Sequence, residues 1–516
     1  MHRDFQIPYI SRRGFLQRCG SAALGTTVLS RTIGELRLLN SAVAEVPASG
    51  DYKALICVFL NGGNDSNNMI IPTLPSEWDS YSTIRSPVLA IPNTDGGPAT
   101  TLAMSSRNGQ AGFPASDGRT YGFHPAMPEI RTLFNAGVVA PVFNVGTLSF
   151  PLTKTQYSAN SVPRPPQLFS HSDQQTQWQT SLPDQPNTSG WGGRMADLFT
   201  AANYNSGGGI SMAVTLAGSN LFEVSSNNLA PQYAITNTGA IPLGGGVAGN
   251  RQAALKSILA ANKTSADLQT AAYADILDHS INQADALNVA LLTNASAPWL
   301  THFTANVATP NGGPSFGSGL MSQMKMVARL IHLGSKLSGG LGMRRQIFFI
   351  QVGGYDTHTK QTNNAGETVV NNAAVILGDH ANRLAEVSQV LNALYQAMSD
   401  IGIPAGRTQP LKDCVTAFTA SDFSRTFPAN GYGSDHGWGG HQLVIGGAVK
   451  GGATYGRFPT LAVNGPDDTS TGRWIPTTAV DQYAATIASW FGVDSNGIDT
   501  VFPNLGRFTS RNLGFL

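Results

Sequence analysis

Apolar positions along this chain fall into short unbroken runs, closed by polar glycine-rich turns, and into longer stretches with helical spacing. The run Ala54-Leu55-Ile56-Cys57-Val58-Phe59-Leu60 has no polar interruption, the pattern of a parallel strand buried on both faces. It stops at Asn61-Gly62-Gly63-Asn64-Asp65-Ser66-Asn67-Asn68, a loop by composition. Residues 125–135 read as a helix closed by Gly137, residues 138–145 as the next strand, and residues 191–202 as a helix. The rhythm is strongest towards the C-terminus: helix over 320–337, strand over 346–352, long helix over 375–401, strand over 414–420, short strand over 442–445 and closing helix over 481–491. Helices alternating with buried strands predict an α/β fold with a doubly wound, mostly parallel sheet, in which ligands bind beyond the carboxyl ends of the strands.

Between residues 203 and 315 the pattern changes. This stretch is rich in Asn, Ser, Gly, Ala and Thr, with one Ala-rich helical piece over 264–292. It reads as an insertion or cap on a single domain spanning 45–516. No repeat of fixed period is present.

The first residues have another logic. Ser11-Arg12-Arg13-Gly14-Phe15-Leu16-Gln17 precedes a weakly apolar stretch, 19–30, too short to anchor in a bilayer, and Ala42-Val43-Ala44 offers a small-residue cleavage site. This order resembles a twin-arginine export signal, with Gln17 where Lys is commoner. The resemblance implies a signal peptide over 1–44, passage through the twin-arginine export machinery, and work in the periplasm or at the cell surface. The competing reading is a basic amphipathic helix at the start of a cytoplasmic protein.

Composition narrows the partners. A formal net charge of +1 with 12% charged residues leaves no electrostatic footprint for nucleic acid and no polybasic membrane patch. No second apolar stretch reaches membrane-spanning length, so no transmembrane anchor is expected after cleavage. With 41% hydrophobic residues, 57 Gly and 29 Pro, the chain reads as globular and loop-rich. Of three cysteines, Cys19 falls in the signal, while Cys57 and Cys414 sit in apolar runs as expected core thiols.

Chemistry gathers at strand ends. The first strand leads to Asp65, the strand over 346–352 to Gly353-Gly354-Tyr355-Asp356-Thr357-His358, and the strand over 414–420 to Ser421-Asp422-Phe423-Ser424-Arg425-Thr426. Ser434-Asp435-His436-Gly437-Trp438-Gly439-Gly440-His441 follows shortly. A parallel sheet would bring these to one edge. Carboxylates with neutral imidazoles suit Zn or Mn better than Ca or Mg. Two such ions roughly 4 Å apart would clamp a phosphoryl or sulfuryl group. Each motif has a plain alternative: a turn capped by Asp356, a hydrogen-bonded Asp435-His436 pair, an Asx turn at Asp65. His124, His279, His302, His332 and His380 lack carboxylate companions in sequence and are expected to be structural or at the surface.

The blocks from Gly353 to His358, Ser421 to Thr426 and Asp435 to His441, with Tyr455-Gly456-Arg457-Phe458-Pro459, resemble one uncharacterised bacterial family, a domain of unknown function often exported by the twin-arginine route. Phe59 to Asp65 matches its first block, and Ser170-His171 with Trp191-Gly192-Gly193-Arg194 its middle blocks. That family is grouped with alkaline phosphatases and sulfatases. The resemblance implies an alkaline phosphatase-like sheet with two divalent ions: Asp356 and His358 on one, Asp422 on the second, and His441 as the late histidine with His436 as its rival. The sequence departs from that pattern where Asn61-Gly62 stands at the first metal aspartate and Asp65 comes later. The nucleophile has no single match. Ser170 and Ser172 precede a helical stretch, 173–180, whose N-terminus would favour an anion. Arg425 would neutralise developing charge, or hold a carbonyl or carboxylate structurally. The expected activity is metal-dependent hydrolysis of a small phosphate or sulfate ester. The alternatives are a non-catalytic envelope protein that keeps the fold for binding or assembly, and a lyase or mutase of the same superfamily.

Overall fold

The longest unbroken apolar run near the start forms β1 (Lys53–Leu60), the middle of a nine-stranded sheet. The computed structural model describes residues 51–92, 102–103, 118–186, 188–205, 209–241 and 249–516; residues 1–44, with the arginine pair and the cleavage site, lie outside them. The further strands of the sheet are β2 (Val139–Gly146), β3 (Ala213–Thr215), β4 (Tyr233–Thr236), β5 (Gly239–Ala240), β6 (Arg345–Val352), β7 (Val415–Ser421), β8 (Gly440–Ile445) and β9 (Thr478–Ala479). Their spatial order is β9-β2-β8-β7-β1-β6-β3-β4-β5. Strand β1 runs parallel to β6 and β7, β6 to β3, β3 to β4, and β9 to β2. Strand β8 is antiparallel to both neighbours, and β5 to β4. The sheet is mixed and mostly parallel.

The main helices are α1 (Pro128–Asn135), α2 (His171–Thr180), α3 (Trp191–Ala201), α4 (Asn250–Asn262), α5 (Leu268–Leu292), α6 (Gly319–Ser335), α7 (Asp379–Ile401) and α8 (Val480–Phe491). Side chains alternate across a strand, so β1 feeds two cores. Ala54, Ile56, Val58 and Leu60 pack with Ile130 of α1, Met324 of α6 and Leu384 of α7. Leu55, Cys57 and Phe59 pack with Trp191 of α3 and Tyr483 of α8. Burying each large apolar side chain contributes about 1.5–3 kcal/mol, which is why Ala54 to Leu60 carry no polar side chain on either face.

Three expectations need correction. The stretch 203–315 is not wholly a cap: β3, β4 and β5 extend the sheet from β6 outward. They are too short to leave a periodic signal among Asn, Gly and Ser. Within the same stretch, α4 and α5 pack on each other through Leu259, Ala274 and Ile281. The long helix starts at Asp379 and not at 375, because Gly378 adopts φ +123° with Thr362 Cα 2.6 Å from where a Cβ would be. Cys414 closes the short helix Leu411–Cys414 and precedes the strand. Both Cys57 and Cys414 are free and buried. No helix among the described residues is long and apolar enough to cross a membrane.

Leu60 is level with Val352 on one side and Ser421 on the other. Three central parallel strands therefore end together, and their loops leave one edge of the sheet.

Candidate metal centre

The loops after these strands are tied to each other before any side chain is considered. Tyr355 N–H donates to Asn61 O at 3.2 Å, Ser434 N–H to Thr357 O at 3.2 Å, and Thr426 N–H to Asp435 O at 2.8 Å. Arg425 and His436 form an antiparallel bridge. Gly62 turns at φ +114°, with Asp356 N only 2.4 Å from the position a Cβ would take. Glycine is required there for the β1 loop to pass against the β6 loop.

Four donors converge above this weave. His358 Nε2 lies 3.2 Å from Asp356 Oδ1 and 3.0 Å from His436 Nε2. His436 Nε2 is 3.5 Å from Asp356 Oδ1, and His171 Nε2 is 3.7 Å from Asp356 Oδ2. The other nitrogen of each ring faces an oxygen: His171 Nδ1 meets Asp422 Oδ2 at 2.7 Å, His358 Nδ1 meets Asp435 Oδ1 at 3.0 Å, and His436 Nδ1 meets the Phe169 carbonyl at 2.7 Å. Carboxylates and carbonyls only accept, so these partners assign the proton of each neutral ring to Nδ1 and leave the lone pair on Nε2. All three lone pairs then serve one region. His171 Nε2 is buried without any hydrogen-bond partner.

The outer contacts have costs of their own. Phe169 holds φ +72°, a conformation that costs a bulky residue about 1–3 kcal/mol and persists only where surroundings enforce it. Asp422 is fully buried, and it also accepts from Gln175 Nε2 at 2.9 Å and Gly62 N–H at 3.2 Å. Arg425, equally buried, donates to Asp356 Oδ1 at 2.8 Å, to Gly62 O at 3.2 Å and to Ser434 O. Burial alone would raise the Asp356 carboxyl, but the hydrogen bond and charge of Arg425, with His358 and His171, hold it below the ordinary value. The Asp422 hydrogen bond raises His171 against the effect of burial, whereas burial lowers His436.

A divalent ion fits this donor set. Ligands about 2.0–2.1 Å from a tetrahedral Zn stand roughly 3.3 Å from one another; His358, His436 and Asp356 Oδ1 are 3.0 to 3.5 Å apart, and His171 Nε2 reaches the other Asp356 oxygen at 3.7 Å. Three imidazoles with one carboxylate suit Zn or Mn, and an imidazole whose Nδ1–H is held by carboxylate or carbonyl is the usual form of a metal-bound histidine. Among the described residues, His171, Asp356 and His436 are the group whose ligand atoms all lie within 4.8 Å of one another, and His358 adjoins it through Asp356 and His436.

The other expected residues lie elsewhere or act differently. Asp422 orients His171 from behind, because its oxygens are filled by the ring, Gln175 and Gly62. Asp65 is buried, its carboxylate taken up by Arg85, Gln361 and Asn67. His441 Nδ1 accepts from Asn144 N–H at 3.1 Å, its ring stacks on Phe458 at 4.7 Å, and burial pushes it down to about 3. Neither belongs to the four-donor group. Ser170 Oγ donates to Asp173 Oδ2 at 2.6 Å and contacts Ser172 Oγ at 3.3 Å. Arg425 presents no exposed surface. His302, expected without a carboxylate, meets Asp400 Oδ2 at 2.6 Å. His171 is not among the ligands the sequence points to: it begins a polar helix, and its carboxylate partners come from residues 356 and 422. The signal available was an imidazole between two serines at a helix start.

A family described as "Protein of unknown function (DUF1501)" matches residues 52–498. No curated protein matches the chain.

Proposed function

The chain belongs to the DUF1501 family, and from its four-donor group we propose a metal-dependent hydrolase of small phosphate or sulfate esters, exported by the twin-arginine route and built on an alkaline phosphatase-like sheet. One observation carries the reading: three imidazoles, each held at Nδ1, aim Nε2 at one region shared with Asp356. A divalent ion held there would supply a Lewis acid that polarises the ester and lowers the pKa of water. Asp422, Asp435 and the Phe169 carbonyl fix the rings, and Arg425 fixes the carboxylate. Asp356 and His358 remain 48% and 42% exposed, so an ester has access from solvent. Hydrolysis adds water oxygen to phosphorus or sulfur, breaks the bond to the alcohol oxygen, and leaves the proton on the departing alcohol. Ser170 and Ser172 contact each other and Asp173 Oδ2, and among the described residues neither hydroxyl contacts Asp356 or a donor imidazole, so the reading takes water as the attacking group.

Elemental analysis of purified mature protein, combined with aryl phosphate and aryl sulfate assays in added Zn or Mn, tests this. About one ion per chain is expected, with hydrolysis retained by the double variant Ser170→Ala/Ser172→Ala. Folded protein that takes up no metal sinks the proposal. A second reading rests on the donor count: four protein ligands complete a tetrahedral shell, as in structural sites. The ion would then fasten α2 to the strand-end loops of a non-catalytic envelope protein. Metal-loaded protein that melts lower on chelation but hydrolyses no ester favours that reading.

A further inference from the structure

Arg425, the arginine expected to meet substrate charge, faces inward, fully buried against Asp356. A different guanidinium touches the residues that hold one of the donor imidazoles. Arg473 Nε donates to the main-chain oxygen of His436 at 2.7 Å, and its guanidinium lies over the Phe169 ring at 4.4 Å. Phe169 is the residue whose carbonyl accepts from His436 Nδ1. Arg473, Phe169 and His436 thus close a ring of three contacts around one donor imidazole, and the left-handed backbone of Phe169 places its carbonyl and its side chain for both partners.

The backbone under Arg473 is equally constrained. Asp468, fully buried, accepts from Arg473 N–H and Gly472 N–H, each at 2.8 Å. On the other side, the buried Trp474 donates from Nε1 to Asn67 Oδ1 at 2.8 Å. Arg85, Arg457 and Arg507 each meet a carboxylate. Arg473 has none among the described residues, and its two Nη groups make no hydrogen bond there. A guanidinium fixed through Nε and its flat face, with its Nη fork unused, is set up for bidentate binding of a planar or tetrahedral oxyanion.

We infer that Arg473 is the anion-recognition side chain of this centre, taking the free oxyanion oxygens of a phosphate or sulfate ester. The inference rests on the proposed metal site. It restricts the substrate class to esters that carry a negatively charged oxyanion group, since a neutral ester has nothing to offset desolvation of the guanidinium.

Calorimetric titration of the full chain with inorganic phosphate and with inorganic sulfate, metal-loaded and metal-free, tests it in wild type, Arg473→Ala and Arg473→Lys. Loss of a charge-assisted bidentate contact should weaken anion binding by roughly 10- to 100-fold in Arg473→Ala. Arg473→Lys should fall between the two, and the metal content of both variants should equal wild type. Unchanged anion affinity in Arg473→Ala overturns the inference. Loss of metal in both variants also overturns it, because Arg473 would then serve only to hold His436. The metal-free arm separates the two claims. Arg473-dependent phosphate binding in a chain that takes up no metal supports the anion site while the metal reading falls; no anion binding by wild type in either state overturns the anion site whatever the metal content.

Discussion

His358 Nε2 and His436 Nε2 face each other at 3.0 Å, although both rings already direct their Nδ1 hydrogens at oxygens. Two neutral rings protonated at Nδ1 oppose lone pairs in that arrangement, and a cation between or beside them, or a proton on one Nε2, turns the contact favourable. Asp356 supplies the negative charge on one side and buried Arg425 holds it in place. On the proposed reading a divalent ion would sit here, and the same contacts separate the residues that would hold it from those that only pack nearby.

His436 and His441 are the sharpest such pair. His436→Ala removes one of four donors and should abolish stoichiometric metal uptake with little change in the melting temperature of the metal-free chain. His441→Ala removes a ring packed between Phe143 and Phe458. It should cost about 2–5 kcal/mol of stability by cavity formation while leaving metal uptake intact. Elemental analysis and thermal melts on both variants check this, and loss of metal from folded His441→Ala would reverse the assignment.

Asp435 touches His358 only through Nδ1 and is half exposed. Asp435→Asn should fold normally, yet lose the charge that fixes the ring and strengthens its Nε2 as a donor. Metal affinity should fall roughly 10- to 100-fold, read by competition with a chromophoric chelator. An unchanged affinity would reduce the contact to a surface ion pair.

Gly62 is the hinge on which the β1 loop passes Asp356. Gly62→Ala should cost about 1–3 kcal/mol from its positive φ alone, and more because the Cβ meets Asp356 N. Metal affinity should drop with it. Gly118→Ala, at φ +77° with open space around the Cβ, is the control: some stability lost, no effect on metal. Chemical denaturation and chelator competition on both variants read the difference.

Burial pushes Glu223 up to about 8, only partly offset by hydrogen bonds from Asn220 and Gln232. The folded chain keeps this proton while the unfolded chain releases it near 4.5, so stability present at low pH is lost as pH rises from about 4.5 to about 8. Glu223→Gln should match wild type near the lower limit and gain on it with rising pH, by the order of a few kcal/mol at the upper limit. His441 and His124, lowered to about 3, and His380, lowered to about 4, act in the opposite sense. Each is neutral in the fold, and the unfolded chain takes up protons below about 6.5, so stability is lost as pH falls from there. Thermal melts of the metal-free chain between these limits should show both limbs, with only the alkaline one flattened in Glu223→Gln.

Much of this was legible along the chain. The unbroken run from Ala54 to Leu60 announced a strand buried on both faces, and β1 feeds both cores. Asp356, His358 and His436 stood out because each follows a strand and pairs carboxylate with imidazole in sequence, and the structure brings all three together. His171 did not stand out, because its partners Asp422 and Asp356 lie 251 and 185 residues away. Asp422 and His441 carried the right chemistry but face the wrong way for a donor, one behind His171 and the other into an aromatic pocket. The strands inside 203–315 were hidden because three or four residues are too few to show a period.

The sequence by itself determined the central strands, their mostly parallel assembly and the edge of the sheet where chemistry gathers. These follow from side-chain period and burial, which are local to each segment. Only the tertiary structure decided which Asp and His share a region, which nitrogen of each ring is free, and which arginine has an unused fork. Those depend on the register of Leu60 against Val352 and Ser421 and on how α2 docks over the loops that follow. A shift of one residue in any of these would turn a donor into a packing group without changing a single letter of its motif.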